Sequence, residues 1–155
     1  MKILDTNLWV FGTLGTNDRA VRLLDKIEQG STISAISAYM VQEALNAFDR
    51  TPGLSTSDRD ELKTLFLTRL TRMTGLIEAP SSRDFAAGVV DERRSTVQTQ
   101  LLARVTGVQP KDIPILVLAF KHRDRGPTVL TNDADFAAFS PTEHDLPELD
   151  LEHVD

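Results

Sequence analysis

Four acidic residues of this chain lie in settings where a carboxylate could do chemistry: Asp5, Glu43, Asp112 and Asp133. Asp5 follows an apolar stretch at residues 2–4 that is typical of a buried strand, and Asp133 follows a second such stretch at residues 128–131. In open α/β sheets, ligands bind outside the carboxyl ends of the strands, near the point where the strand order reverses. Asp5 and Asp133 meet at that point if their two strands are neighbours.

The other two acids belong to predicted helices. Glu43 directly precedes Ala44 and Leu45 of an apolar helix face, so its carboxylate is expected at the border of the buried surface. Asp112 stands before the apolar helix 113–120 and is expected to point toward the same sheet edge. Converging carboxylates resist ionising together unless a cation joins them, and a set of oxygen ligands suits Mg²⁺ or Mn²⁺. The joint placement of the four acids therefore indicates a site for a divalent metal ion.

Each acid also has a purely structural interpretation. Asp5 could end its strand in a turn, and Asp112 could cap the helix that follows it. Glu43 could be an exposed helix residue, and Asp133 could cap the next short helix. Taken singly, each residue favours the structural interpretation, Asp112 most strongly, whereas the four placements together favour the metal site.

Short apolar strands alternate with helices along the chain, which predicts an α/β fold with a mostly parallel sheet. Strands are expected at residues 2–4, 32–36, 75–80 and 128–131, and residues 5–7 are expected to form a polar turn. Helix starts are expected at Asn17, Ser37, Ser57, Ser82, Thr96 and Ile113. The acidic tail at 140–155 leaves three alternatives open, namely a final edge strand, a docking tail or a frayed end.

Composition excludes several classes of protein. The 155 residues, 41% of them hydrophobic, are enough for one domain over residues 1–155. The absence of cysteine excludes disulfide scaffolds, thiolate metal sites and cysteine nucleophiles. A formal net charge of −6 argues against non-specific coating of nucleic acid. No apolar run is long enough to span a membrane and the first residues lack a signal-peptide pattern, so a cytoplasmic location without membrane attachment is expected.

The order and spacing of the acids resemble those of PIN-domain ribonucleases, particularly the VapC-type toxins. Residues 3–7 (ILDTN) are similar to the first motif of that family, in which an aspartate closes the first strand. Residues 130–136 (LTNDADF) are similar to its last motif, an aliphatic-Thr-x-Asp-x-Asp-Phe pattern. Glu43 and Asp112 match the two acidic positions on intervening helices. The resemblance extends from residue 3 to about residue 136, and Pro114 departs from it, since a non-proline is more frequent there.

The resemblance implies a three-layer α/β/α sandwich with a short, mostly parallel central sheet and metal-dependent endonuclease activity on RNA. It also implies a homodimer and a small antitoxin partner. Asp5, Glu43, Asp112 and Asp133 would bind one or two Mg²⁺ or Mn²⁺ ions that activate water and orient the scissile phosphate. Four further residues are expected to support the site. Asn7 would orient Asp5, and Thr6 would do the same or make a turn. Thr131 would hydrogen-bond a carboxylate, and Asp135 would be a supplementary ligand.

Attraction for RNA must come from local positive charge, because the whole chain is acidic. The pair Arg93-Arg94 is one candidate, although a solvated face is the default, whereas the basic residues at 121–125 are expected to complement a helix C-terminus. Trp9 and Phe11 could stack on a base, but core packing or a dimer contact is the favoured interpretation.

Other classes remain alternatives. A receiver domain would carry an acidic pair after its first strand, and a haloacid-dehalogenase phosphatase would carry Asp-x-Asp there, whereas this chain has Asp5-Thr6-Asn7. An RNA-processing PIN nuclease without an antitoxin and a non-catalytic PIN interaction module are further alternatives.

Overall fold

The computed structural model of the chain describes residues 1–81, 83–93 and 96–155, with the backbone alone for Glu92. Within these residues the strands are β1 (Lys2–Leu4), β2 (Ser34–Ala35), β3 (Leu76–Glu78), β4 (Thr128–Thr131) and β5 (Asp150–His153). The helices are α1 (Thr6–Leu14), α2 (Asp18–Glu28), α3 (Ala38–Arg50), α4 (Thr56–Arg72), α5 (Phe85–Glu92), α6 (Val97–Thr106), α7 (Ile113–Lys121) and α8 (Ala134–Ala137). Short 3₁₀ turns lie at Arg123–Arg125 and Pro141–His144.

The strand pairs of the described chain are all parallel. β4 pairs with β1 on one side and with β5 on the other, and β2 pairs with β3. The amide of Lys2 donates to the carbonyl oxygen of Ile33 at 2.8 Å, which connects the two groups in the order β3-β2-β1-β4-β5. The chain first builds outward from β1 through β2 and β3, and then resumes on the other side of β1 with β4. The reversal of strand order between β1 and β4 creates the crevice in which α/β proteins bind ligands.

Helices cover the sheet on two faces, which confirms the predicted three-layer α/β/α architecture. Because parallel crossovers are right-handed, the helices that precede β3 and those that connect β3 to β4 start on opposite faces of the sheet, although α3 also contacts α5 and α7. Accordingly, α1 packs against α2, α3 and α4, whereas α6 packs against α7, which itself contacts β1 and β4. Trp9, Phe48 and Phe66 are fully buried in a core that extends along the chain from Ile3 to Val154.

Several local expectations need correction. Residues 6–14 form helix α1, so the expected turn at residues 5–7 is wrong. The fourth helix is capped by Ser55, whose side chain forms a capping box with Asp58, so the predicted start at Ser57 is wrong by two residues. The predicted helix start at Ser82 lies outside the described residues.

The acidic tail follows the first of its three alternatives, because residues 150–153 form the edge strand β5. The amide of Val154 extends this pairing by donating to the carbonyl oxygen of Thr131 at 2.7 Å. No helix in the described part of the chain is both long and apolar enough to span a membrane.

Candidate metal centre

Asp5 connects the end of β1 to the start of α1. Its amide donates to the carbonyl oxygen of Leu130 at 2.8 Å, which extends the pairing of β1 with β4. Its carboxylate is buried, with Oδ1 accepting from the amide of Asn7 at 3.2 Å and Oδ2 accepting from Thr131 Oγ1 at 2.5 Å. Burial raises the pKa of Asp5, although these hydrogen bonds oppose the effect. Asp5 therefore caps α1 instead of ending its strand in a turn, and the same carboxylate faces the ligand-binding edge of the sheet.

Asp112 lies at the start of α7, where a capping role was the strongest structural alternative. Its backbone carbonyl accepts from the amides of Ile115 and Leu116, but its side chain makes no capping hydrogen bond. The residue is only 4% exposed. Burial, reinforced by the negative charges of Asp5 and Asp133, raises the pKa of Asp112 to about 7. A buried carboxylate without a capping bond, with two acids near it, is the arrangement that a cation would stabilise.

Asp133 is the N-cap of α8. Its Oδ1 accepts from the amides of Asp135 at 3.0 Å and Phe136 at 3.2 Å, and these bonds lower its pKa. The structural interpretation of Asp133 is thus confirmed for one oxygen. The other oxygen, Oδ2, lies 3.6 Å from Lys111 Nζ and so faces the ammonium group of that lysine.

The hydroxyl of Thr131 joins the first and last acids. While it donates to Asp5, it accepts a hydrogen bond from the amide of Asp133 at 3.0 Å. The prediction that Thr131 hydrogen-bonds a carboxylate is confirmed. Asn7 orients Asp5 as predicted, but it does so through its backbone amide, while its side-chain Nδ2 donates to Asn132 Oδ1 at 3.0 Å.

Two small clefts meet at Asp112. The first, about 80 Å³, is lined by Asp5, Thr6, Asn7, Glu43, Ala47, Arg50, Lys111, Asp112 and Ile115. The second, about 350 Å³, includes Asp112, Asp133 and the exposed Asp135 among its lining residues. Glu43 is half-buried on α3 and reaches the first cleft but not the second. All four predicted acids therefore border one or both clefts.

The four acids do not form a finished coordination shell. Across residues 1–81, 83–93 and 96–155, no three carboxylate or imidazole side chains are already arranged as ligands of one ion. Burial is the main cause of the raised pKa of Asp112, and repulsion from Asp5 and Asp133 adds to it. The donor chemistry nonetheless fits a hard divalent ion, because every candidate ligand is a carboxylate and Asp112, one of the two buried ones, lacks a capping bond.

Lys111 was not among the residues that the sequence singled out. It lines the first cleft, and its charge lowers the pKa of Asp5, Asp112 and Asp133 alike. Arg50, at the end of α3, lines the same cleft. The only sequence signal for Lys111 was its position directly before Asp112.

The aromatic and basic candidates have other surroundings. Trp9 is fully buried, so its predicted role in core packing is confirmed and base stacking is excluded. Lys121 and His122 both contact the carboxylate of Glu78 at the far end of α7. Arg93 is exposed, and Arg94 lies outside the described residues.

Comparisons with known proteins bear on the fold. No protein-family model matches this sequence, and no curated protein matches it. Among solved structures, the chain is similar to a chain in the crystal structure of VapBC2 from Rickettsia felis bound to a DNA fragment from their promoter. The two chains share 18% sequence identity with a TM-score of 0.56, over 99% of this chain and 98% of the other. At this level of identity the likeness establishes a common fold along the whole chain.

Proposed function

We propose that this chain is a metal-dependent endoribonuclease with a PIN-like fold and the toxin component of a toxin–antitoxin pair. The observation that carries the proposal is the buried carboxylate of Asp112, which lacks a capping bond and stands beside Asp5 and Asp133 where the strand order reverses. The similarity in fold to a chain from VapBC2, a toxin–antitoxin complex, supports the same class of protein.

The proposed cofactor is Mg²⁺ or Mn²⁺, held by Asp5, Glu43, Asp112 and Asp133. When bound, such an ion lowers the pKa of a coordinated water and stabilises the leaving oxygen of a phosphodiester. Asp5 is kept in place for this purpose by Thr131 and the amide of Asn7, so one of the ligands is oriented in advance. Asp133 keeps one oxygen for the cluster because its other oxygen is bound to α8.

The proposed substrate is RNA. The net charge of −6 makes broad electrostatic attraction of a polyanion unfavourable, so binding depends on local groups. Arg50 lines the same cleft as Asp5, Glu43 and Asp112, which provides a guanidinium for a phosphate next to the acids. Positive charge and metal ligands at one cleft suit a reaction at the phosphate group.

The proposed partners are a small antitoxin protein and a second copy of this chain. The antitoxin is proposed because the similar solved chain comes from a toxin–antitoxin complex. The homodimer is supported by exposed apolar side chains on α6, where Val97, Leu101 and Val105 are all more than half exposed.

An RNA-cleavage assay tests the nuclease. Structured RNA is incubated with purified protein in Mn²⁺, in Mg²⁺ or in EDTA, and the products are separated on a denaturing gel. We expect cleavage with either metal ion, none in EDTA, and none with Asp133→Asn, since asparagine still caps α8 but supplies no charge. Asp124→Asn, which changes an exposed acid distant from the clefts, is the control and should cleave like wild type. Equal cleavage by Asp133→Asn and wild type would indicate a contaminating nuclease.

A second candidate is a PIN-like interaction module without catalysis. It is favoured by the finding that the described side chains do not already form a three-ligand metal group. Sequencing RNA ends after brief expression in cells separates the two functions and identifies the target. New ends that depend on Asp5 support the nuclease, whereas co-purification of a stoichiometric partner without new ends supports the module.

A further inference from the structure

Lys111 places a positive charge inside the acidic cluster. It directly precedes Asp112, and its Nζ lies 3.6 Å from Asp133 Oδ2. It also lines the first cleft together with Asp5, Glu43 and Asp112. Lys111 thus lies beside the acid that follows β4 and also lines the cleft of the other three acids.

The electrostatic influence of this lysine extends over three carboxylates. A positive charge beside Asp133 and at the same cleft as Asp5 and Asp112 attracts these carboxylates and offsets part of their mutual repulsion. Arg50 lines the first cleft as well, whereas Lys111 lies both at this cleft and beside Asp133. Offsetting the repulsion among these acids is the electrostatic role that a bound divalent ion would take over.

The side chain of Lys111 can also move away from the carboxylates. It is 42% exposed, and a four-carbon stem allows its ammonium group to move into solvent at little cost. A fixed cation would block the site permanently, whereas an exposed lysine can be displaced.

We propose that Lys111 is an internal counter-cation of the acidic cluster, which stabilises the metal-free protein and competes with the divalent ion for the same carboxylates. This inference rests on the proposed metal centre and adds a residue that sets its affinity. It predicts an effect opposite to that of a ligand, because loss of Lys111 tightens metal binding whereas loss of a ligand weakens it.

Isothermal titration of the metal-free protein with MnCl₂ at pH 7.5 and low ionic strength tests the proposal. A positive charge next to a divalent ion at a partly solvated site changes binding by about tenfold, or about 1.4 kcal/mol. We therefore expect the Mn²⁺ dissociation constant of Lys111→Gln to be about 3 to 10 times lower than that of wild type. Lys111→Arg keeps the charge and should stay within about twofold of wild type. Lys121→Gln removes the same charge at the far end of α7, where Lys121 pairs with Glu78, and should also leave the affinity unchanged.

Thermal unfolding of the same variants provides a second readout. In EDTA, Lys111→Gln should unfold at a lower temperature than wild type because the acids lose their counter-cation, and saturating Mn²⁺ should reduce or reverse that difference. Unchanged or weaker Mn²⁺ binding by Lys111→Gln while wild type binds the ion would overturn the role of Lys111 and leave the metal centre standing. Tighter binding by Lys111→Arg as well would show that charge is not the cause. Absence of Mn²⁺ binding in wild type and in Lys111→Gln would refute the metal centre itself, and this inference with it.

Discussion

Replacement of Asp112 by asparagine should stabilise the metal-free protein at neutral pH. Asparagine has the same shape as aspartate but does not ionise, so the substitution removes the buried charge and leaves the packing at the start of α7 unchanged. The pKa of Asp112 rises from 3.8 to about 7 on folding, chiefly through burial. Between these values the folded protein holds a proton that the unfolded chain has released, so the free energy of unfolding falls as the pH rises from about 4 to about 7.

The size of the effect follows from that shift. Each unit of pKa difference corresponds to about 1.4 kcal/mol, which sets an upper limit of about 4 kcal/mol for the cost of ionised Asp112 in the folded state. Water in the two clefts screens this charge, so we expect Asp112→Asn to raise the free energy of unfolding by about 1–3 kcal/mol at pH 8. For a chain of this length, that corresponds to an increase of about 2–10 °C in Tm.

Unfolding in urea, followed by circular dichroism in EDTA at several pH values from 4.5 to 8, measures this gain. The difference between Asp112→Asn and wild type should shrink as the pH falls toward 4.5, and Asp124→Asn should show no difference at any pH. Saturating Mn²⁺ should reverse the order, because wild type gains binding free energy that the variant cannot. Lower stability of Asp112→Asn than of wild type at pH 8 in EDTA would refute the reasoning, since the carboxylate would then make a favourable structural interaction.

Three other substitutions test separate parts of the structure. Millimolar Mn²⁺ or Mg²⁺ should raise the Tm of wild type, and Asp5→Asn should remove most of the rise in a thermal shift assay; an unchanged wild-type curve would contradict the shared metal site. Thr131→Val should lower the free energy of unfolding by about 1–3 kcal/mol in urea at pH 7, because the carboxylate of Asp5 and the amide of Asp133 both lose the hydroxyl that they bond. Thr131→Ser keeps the hydroxyl and should retain most of the stability. Gly75→Ala should lower the free energy of unfolding by at least about 2 kcal/mol in the same assay, because the new Cβ would lie 2.1 Å from the carbonyl oxygen of Thr32. Gly53→Ala is the control, since its Cβ would meet no atom within 4 Å although the residue has a positive φ. A loss for Gly75→Ala no larger than that for Gly53→Ala would contradict this explanation.

The strands and the acids at their ends could be predicted because their signals are local. An apolar run that stops at a carboxylate identifies the end of β1 and the start of α8. Helix α1 could not be recognised in the same way, because Leu8, Trp9 and Val10 are buried in succession and leave no helical period to detect. In addition, Asp5 has the same residue type whether it ends a strand in a turn or caps a helix. The role of Lys111 was hidden for a different reason, since the direction of a long side chain depends on contacts between distant segments.

Asp5 and Asp112 show why position alone does not decide the role of an aspartate. Both stand directly before a helix, yet the carboxylate of Asp5 accepts the amide of Asn7, whereas that of Asp112 makes no capping bond. A capping side chain bonds the amide of the second or third helical residue. In α7 the second residue is Pro114, which has no amide hydrogen, and the amide of the third, Ile115, donates to the backbone carbonyl of Asp112. Pro114, together with the backbone hydrogen bond of Ile115, therefore explains why the carboxylate of Asp112 makes no capping bond.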